Sequence, residues 1–222
     1  MRILIISFYY PPDIGPGALR AKSIVDSLIK EGSSDLKIDV LTTMPNRYHS
    51  LNISALQREV NGNVSINRFD LPSHKNRIFD QSIAFASFSL SVQKFVYKKK
   101  WDIVVATSGR LMTASLATWV SKQTGSKLYL DIRDLFADTM NNILIKKPLR
   151  IIMPIFNLLE KWCFRSADNL NVVSAGFLDY LKKIAPNLSP SVYTNGVDDM
   201  FLKNDFSISQ TKQKPVLLYA GN

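Results

Sequence analysis

Residues 2–28 read RILIISFYYPPDIGPGALRAKSIVDSL, and the stretch divides into three parts. Ile3-Leu4-Ile5-Ile6 is an unbroken apolar run rich in β-branched side chains, which suits a strand buried on both faces of a parallel sheet. Pro11-Pro12-Asp13-Ile14-Gly15-Pro16-Gly17 continues neither strand nor helix, because proline removes backbone donors and glycine populates conformations that other residues avoid. Residues 18–28 then place Leu19, Ala21, Ile24, Val25 and Leu28 at helical spacing. Strand, glycine-bearing loop and helix open a doubly wound α/β domain, in which ligands sit at the carboxyl ends of the strands. Residues 9–20 are therefore expected to line a cleft.

The same stretch does not carry the dinucleotide fingerprint. Gly15 and Gly17 supply G-x-G, but Arg20 stands where the third glycine belongs, and two prolines precede the motif. A plain glycine turn without a ligand is one reading. Arg20 supports the other: a permanently charged fork on the first helical turn suits a phosphate or carboxylate at a helix N-terminus.

The chain has 222 residues, 46% of them hydrophobic, enough to bury a sizeable core. No apolar run approaches the roughly 18 residues that span a bilayer, and the N-terminus lacks the pattern of a signal peptide. Cys163 is the single cysteine and has no partner for an internal disulfide, which fits a reducing cytoplasm. The net charge of +10 points to an acidic partner: nucleic acid, anionic lipid or phosphorylated substrates.

Further strands are expected at residues 36–43, 64–71 (at an edge), 102–107, 127–132, 169–173 and 192–194. Helices are expected at 76–100, 111–124, 148–167 with a break around Pro154, and 175–184. In the first of these, Phe79, Ile83, Ala86 and Leu90 share a face, with Phe85, Phe88, Val92 and Phe95 close by, and Lys98-Lys99-Lys100 suits its C-terminus. Gly125 suits the end of the second. Strands and helices alternate throughout, which predicts a Rossmann-like, doubly wound parallel sheet covered on both faces. Ser108 and Gly109 follow one strand and Arg133-Asp134 another, so all four point toward the same cleft. Residues 1–203 read as this domain and 204–214 as a polar linker. Residues 215–222 (PVLLYAGN) read as the first strand of a second domain, so the chain is expected to be the first half of a two-domain protein.

The strand-PP-x-x-G-x-G-helix opening is followed by Asp131-Ile132-Arg133-Asp134-Leu135-Phe136, then by Glu160 with Ser166-Ala167-Asp168 and Val172-Val173-Ser174. Asn195-Gly196-Val197-Asp198 and Leu218-Tyr219-Ala220-Gly221-Asn222 come last. In this order and spacing, across almost the whole chain, the motifs resemble glycosyltransferase family 4. The resemblance implies a GT-B fold, two Rossmann-like lobes facing across a cleft, of which this chain is the N-terminal lobe with the C-terminal lobe missing. It implies a retaining transfer of a hexosyl unit from a nucleotide-sugar donor to a glycan or lipid-linked acceptor, in surface polysaccharide or glycolipid biosynthesis. No cofactor and no metal are expected, and the isolated acceptor-side lobe is expected to be inactive.

On this resemblance Gly15, Gly17 and Arg20 serve the donor phosphates or transferred sugar, where bare backbone and positive charge stabilise a departing diphosphate. Arg133 and Asp134 stand where many relatives carry a His-Asp pair, a departure that puts any histidine-based role in doubt. Arg133 is read as a sugar or phosphate contact and Asp134 as its orienting partner or an acceptor-hydroxyl contact; a structural ion pair between them is the alternative. Asp13 faces the acceptor or is a turn aspartate. Ser174 contacts ligand or caps a helix, and Asn195-Gly196 marks the hinge or simply a good turn.

Two segments combine base with apolar surface, the helix ending at Lys100 and residues 143–153, and the second better suits the anionic face of a cytoplasmic membrane. The reading is thus of a cytoplasmic protein, peripheral at the membrane, with no nucleic-acid partner expected. A phosphate- or nucleotide-binding module without enzymatic activity, or a sugar-nucleotide epimerase of the same fold, are the rival functions.

Overall fold

A computed structural model of the chain describes residues 1–47, 54–72, 78–108, 110–143, 151–196 and 202. The proposed linker and second-domain strand at 204–222 lie outside them. Strand β1 (Arg2–Ile6) leads into helix α1 (Pro16–Glu31), followed by β2 (Lys37–Thr43) and the pair β3 (Arg58–Asn61) and β4 (Val64–Phe69). Then come α2 (Ile78–Val96), β5 (Ile103–Ser108), α3 (Leu111–Thr124), β6 (Lys127–Ile132), α4 (Phe136–Ile143) and α5 (Met153–Ser166). Strand β7 (Asn169–Val172), α6 (Leu178–Ile184) and β8 (Ser191–Val192) close the fold.

The eight strands form one sheet in the order β3-β4-β2-β1-β5-β6-β7-β8. Every pairing is parallel except β3 with β4. β1 lies between β2 and β5, so the winding reverses between β1 and β5. The unbroken run in β1 serves both layers because successive side chains point to opposite faces. Leu4 and Ile6 join the core under α2, α3 and α5, while Ile3 and Ile5 join the core under α1. Each such buried side chain contributes about 1.5–3 kcal/mol relative to exposure.

Two expectations are corrected. The strand starting at Val64 is not at the edge: β3 pairs antiparallel outside it through a two-residue turn at Gly62-Asn63, whose first position, Gly62 at φ 56, is one where hairpin turns favour glycine. On α2 the buried side chains are Ala84, Phe85, Phe88, Val92 and Val96, while Ile83 and Leu90 are exposed. Both stripes are apolar, and the aromatic one wins because Phe85 stacks on Phe8 and Phe88 meets the same ring edge-on. Pro154 occupies the first turn of α5, where its missing N–H has no helical partner to lose; residues 148–150 of the expected helix lie outside the described residues. Helix α4 is not among the elements that the sequence pattern predicts. Cys163 is buried, and burial pushes its thiol up.

Candidate functional site

A cavity of about 410 Å³ opens at the carboxyl ends of β1, β5, β6 and β7, where the winding reverses. This is where open α/β sheets hold ligands. Ser7, Phe8 and Tyr9 follow β1, Thr107 is the penultimate residue of β5, Arg133 and Asp134 follow β6, and Val173 follows β7. Pro16 and Gly17 bring the first turn of α1 to the wall, and Arg110 and Thr113 bring that of α3. Arg47 and Asn195 complete the lining.

Each arginine is held in place. Asp13, buried at 4% exposure, accepts from the backbone N–H groups of Asn46 (3.2 Å) and Arg47 (3.1 Å). That clamp presents Arg47 above the Tyr9 ring, 5.5 Å from its centroid. Arg47 also packs against Gly15, where a Cβ would lie only 3.0 Å from Nε. Arg110 donates to Tyr9 Oη (2.7 Å) and Gln81 Oε1 (3.2 Å), and its guanidinium lies over the rings of Phe8 and Tyr9. Arg133 donates to the carbonyl of Pro16 at 2.7 Å, tying the end of β6 to the start of α1.

Beside the cavity lies a second network, centred on a buried carboxylate. Asp131, 1% exposed, accepts from Arg20 Nε (3.1 Å) and Nη2 (2.9 Å), Thr107 Oγ1 (2.8 Å) and Asn171 Nδ2 (2.6 Å). Burial pushes the Asp131 carboxyl up, but the hydrogen bonds from Arg20, Asn171 and Thr107 outweigh it and hold the group below the usual carboxylate range. Arg20 also donates to the carbonyl of Thr194 (3.2 Å), and Asn171 Oδ1 accepts from the Tyr193 N–H (2.8 Å). The segment following β8 is thus fastened to the buried ion pair. A third cluster centres on Glu160, 1% exposed, which accepts from the Ala137 N–H (3.1 Å) and the Tyr180 hydroxyl. It joins α4, α5 and α6.

The expected site residues therefore separate. Gly17, Arg133, Asp134 and Asn195 line the cavity together. Arg20 does not: one turn into α1 it points to the other side of the sheet edge, where Asp131 takes its charge. Asp13 is a buried loop clamp rather than a wall residue, and Gly15 supports Arg47 from outside the lining. No ion pair joins Arg133 to Asp134 among the described residues. Ser174 caps the short 3-10 turn Ala175–Phe177 by accepting from the Gly176 N–H (3.2 Å). Gly196 is exposed with open space around it. Ser108 ends β5, its side chain lies outside the described residues, and Gly109 lies outside them altogether. No sequence motif singles out Arg47 and Arg110, although both follow strand ends as Arg133 does. Among the described residues no group of three His, Cys, Asp or Glu side chains is placed to hold a metal ion.

No protein-family model matches the chain, and no curated protein matches it. Solved structures do. The sucrose-phosphate synthase of Thermosynechococcus elongatus aligns over 89% of this chain and 49% of its own, at 13% identity and a TM-score of 0.60. A ugt transferase from Siraitia grosvenorii in complex with UDP aligns over 88% and 50%, at 17% identity and a TM-score of 0.51. An Arabidopsis thaliana UGT complexed with UDP aligns over 88% and 48%, at 13% identity and a TM-score of 0.54. The fold is that of one lobe of the GT-B glycosyltransferases, and the chain spans about half the length of these structures.

Proposed function

We propose that this chain is the acceptor-side lobe of a retaining glycosyltransferase of the family 4 type. It would serve transfer of a hexosyl group from a nucleotide-sugar to a glycan or lipid-linked acceptor in surface polysaccharide or glycolipid biosynthesis. One observation carries the reading: a polar cavity at the switch point of a sheet whose fold is that of a glycosyltransferase lobe. Two of the similar structures hold UDP, which supports a nucleotide-sugar donor. In this reading Gly17 offers bare backbone at the start of α1, and Arg133 contacts sugar or phosphate. Asp134 is exposed at the cavity rim and accepts from the acceptor hydroxyl.

The test is a transfer assay on the complete gene product with a panel of nucleotide-sugars, reading nucleoside diphosphate release that depends on acceptor. Asp134→Ala is expected to lower kcat/KM about tenfold, the worth of one charge-assisted hydrogen bond. Absence of transfer from every donor in the panel defeats the reading; unchanged kinetics in the variant removes Asp134 from it.

A membrane-borne acceptor is supported by α5. Ile151, Ile155 and Leu158 are 84%, 66% and 68% exposed and recur at helical spacing, opposite the buried Met153, Glu160, Cys163 and Phe164. Lys161 and Arg165 are exposed beside this stripe, and basic residues flanking an apolar stripe favour an anionic lipid surface. Residues 144–150 of the basic segment lie outside the described residues. No described helix is long and apolar enough to cross a membrane. The protein is expected to co-sediment with vesicles rich in phosphatidylglycerol at low salt and not with phosphatidylcholine vesicles. Ile155→Glu should release it, and failure to sediment at any salt concentration removes the membrane from the proposal.

A further inference from the structure

We infer that Arg20 and Asn171 are positioning residues: together they hold residues 193–194 and so fix Asn195 in the wall of the cavity, which neither of them lines. The inference deepens the glycosyl-transfer reading, on which only the kinetic half of its test rests.

The first argument is how little else holds this stretch. Residues 191–196 are all exposed, Tyr193 at 64%, so no side chain among them is anchored in the core. Strand β8 adds two residues of pairing with β7, and Gly196 has open space around it. Ordering such a segment costs conformational entropy that apolar burial does not offset here.

The anchors are polar, and they are buried. Asn171, 0% exposed, accepts from the Tyr193 N–H through Oδ1 (2.8 Å), while its Nδ2 donates to Asp131 (2.6 Å). Arg20 sets Nε and Nη2 on the two oxygens of Asp131 (3.1 and 2.9 Å) and its remaining nitrogen, Nη1, on the Thr194 carbonyl (3.2 Å). The two side chains thus grip consecutive residues, and the next one is Asn195. A guanidinium held bidentately by a buried carboxylate keeps little freedom of its own, so it makes a rigid support.

The same carboxylate reaches other parts of the wall. Thr107, a wall residue, donates to Asp131 at 2.8 Å. Helix α1 supplies Pro16 and Gly17 to the wall and is fastened to Asp131 one turn later by Arg20. Thr107, the start of α1 and Asn195 therefore share one support that does not itself face the cavity. Arg20, expected from the sequence to touch a ligand, acts on that space indirectly. Asn195 offers an amide donor and acceptor there. A loose Asn195 would have to be ordered on binding, which weakens the ligand without changing the chemistry of the bound state.

Arg20→Lys separates positioning from charge. It keeps a cation beside Asp131, but one nitrogen in place of three cannot span both the carboxylate and the Thr194 carbonyl. Backbone amide NMR relaxation of the purified protein reads the segment. Order parameters at residues 194–196 are expected near 0.85, about the rigid-backbone value, in the unmodified protein and below about 0.6 in Arg20→Lys, with β6 and β7 unchanged. Asn195→Ala is an exposed change that leaves the network whole. In the transfer assay on the complete gene product, each single change should raise the KM of one substrate about tenfold with kcat within about twofold, and the double variant should be no worse than either alone. Additive losses in KM, or unchanged order parameters in Arg20→Lys, overturn the inference. Values below about 0.6 in the unmodified protein also overturn it, whether or not the variant folds. A protein that transfers no sugar defeats the glycosyl-transfer reading and leaves the order parameters to decide this one.

Discussion

Replacing Asp131 with alanine is expected to cost about 3–5 kcal/mol of folding stability, the usual loss when one member of a buried ion pair is removed. The change strands three donors at once: the Arg20 fork, the Thr107 hydroxyl and the Asn171 amide. It also unties α1 from β6 and β7, because Arg20 and Asn171 reach Asp131 from opposite sides. Urea unfolding of wild type and variant at neutral pH reads the difference; a loss under 1 kcal/mol would mean that Arg20 finds water or another partner. The pair also predicts a pH dependence. The folded carboxyl sits below its unfolded value of about 3.9. Its contribution is therefore complete above that value and is lost as pH falls through the folded one. Wild-type stability should decline more steeply than that of Asp131→Asn as pH is lowered from about 5. Parallel curves would show that the pair does not hold the carboxyl down.

Glu160→Ala should cost about 2–4 kcal/mol, from a stranded buried donor and the void left by the side chain. Ala137 is fully buried, so its N–H loses its acceptor with no water to replace it, and the Tyr180 hydroxyl loses one as well. The damage should spread along α4, which begins at Phe136 and holds the chain just after Asp134. Glu160→Gln keeps the shape and an acceptor oxygen, and should lose less. Thermal unfolding of the two variants separates the charge from the packing; equal losses would assign the whole effect to the carboxylate charge.

Much of this architecture is legible in local chemistry. Residues 111–124 and 127–132 occupy their expected spans, and Gly125 ends its helix at φ 68. The signals there are unambiguous: an apolar period, then a residue that tolerates the left-handed turn. On α2 the period was ambiguous, since Ile83 and Leu90 mark one stripe and Phe85, Phe88 and Val92 another. Only the ring of Phe8, just after β1, decides between them, and that contact spans about eighty positions of sequence. The site divides in the same way. Following a strand end into its loop identifies Gly17, Arg133, Asp134 and Asn195, and applied to β2 and β5 the same step reaches Arg47 and Arg110. Arg20 could not be placed so, because its position depends on a buried aspartate 111 residues away. The sequence motifs include Glu160 without indicating what it joins.

The two margins of the sheet carry a consequence for the protein in a crowded cell. β3 is four residues long and bears Arg58 and Glu59, and β8 is two residues long with Pro190 immediately before it. Among the described residues neither rim offers a long, flat row of open amides and carbonyls, so another chain finds little there to zip onto. The large central sheet is thereby shielded from edge-to-edge aggregation.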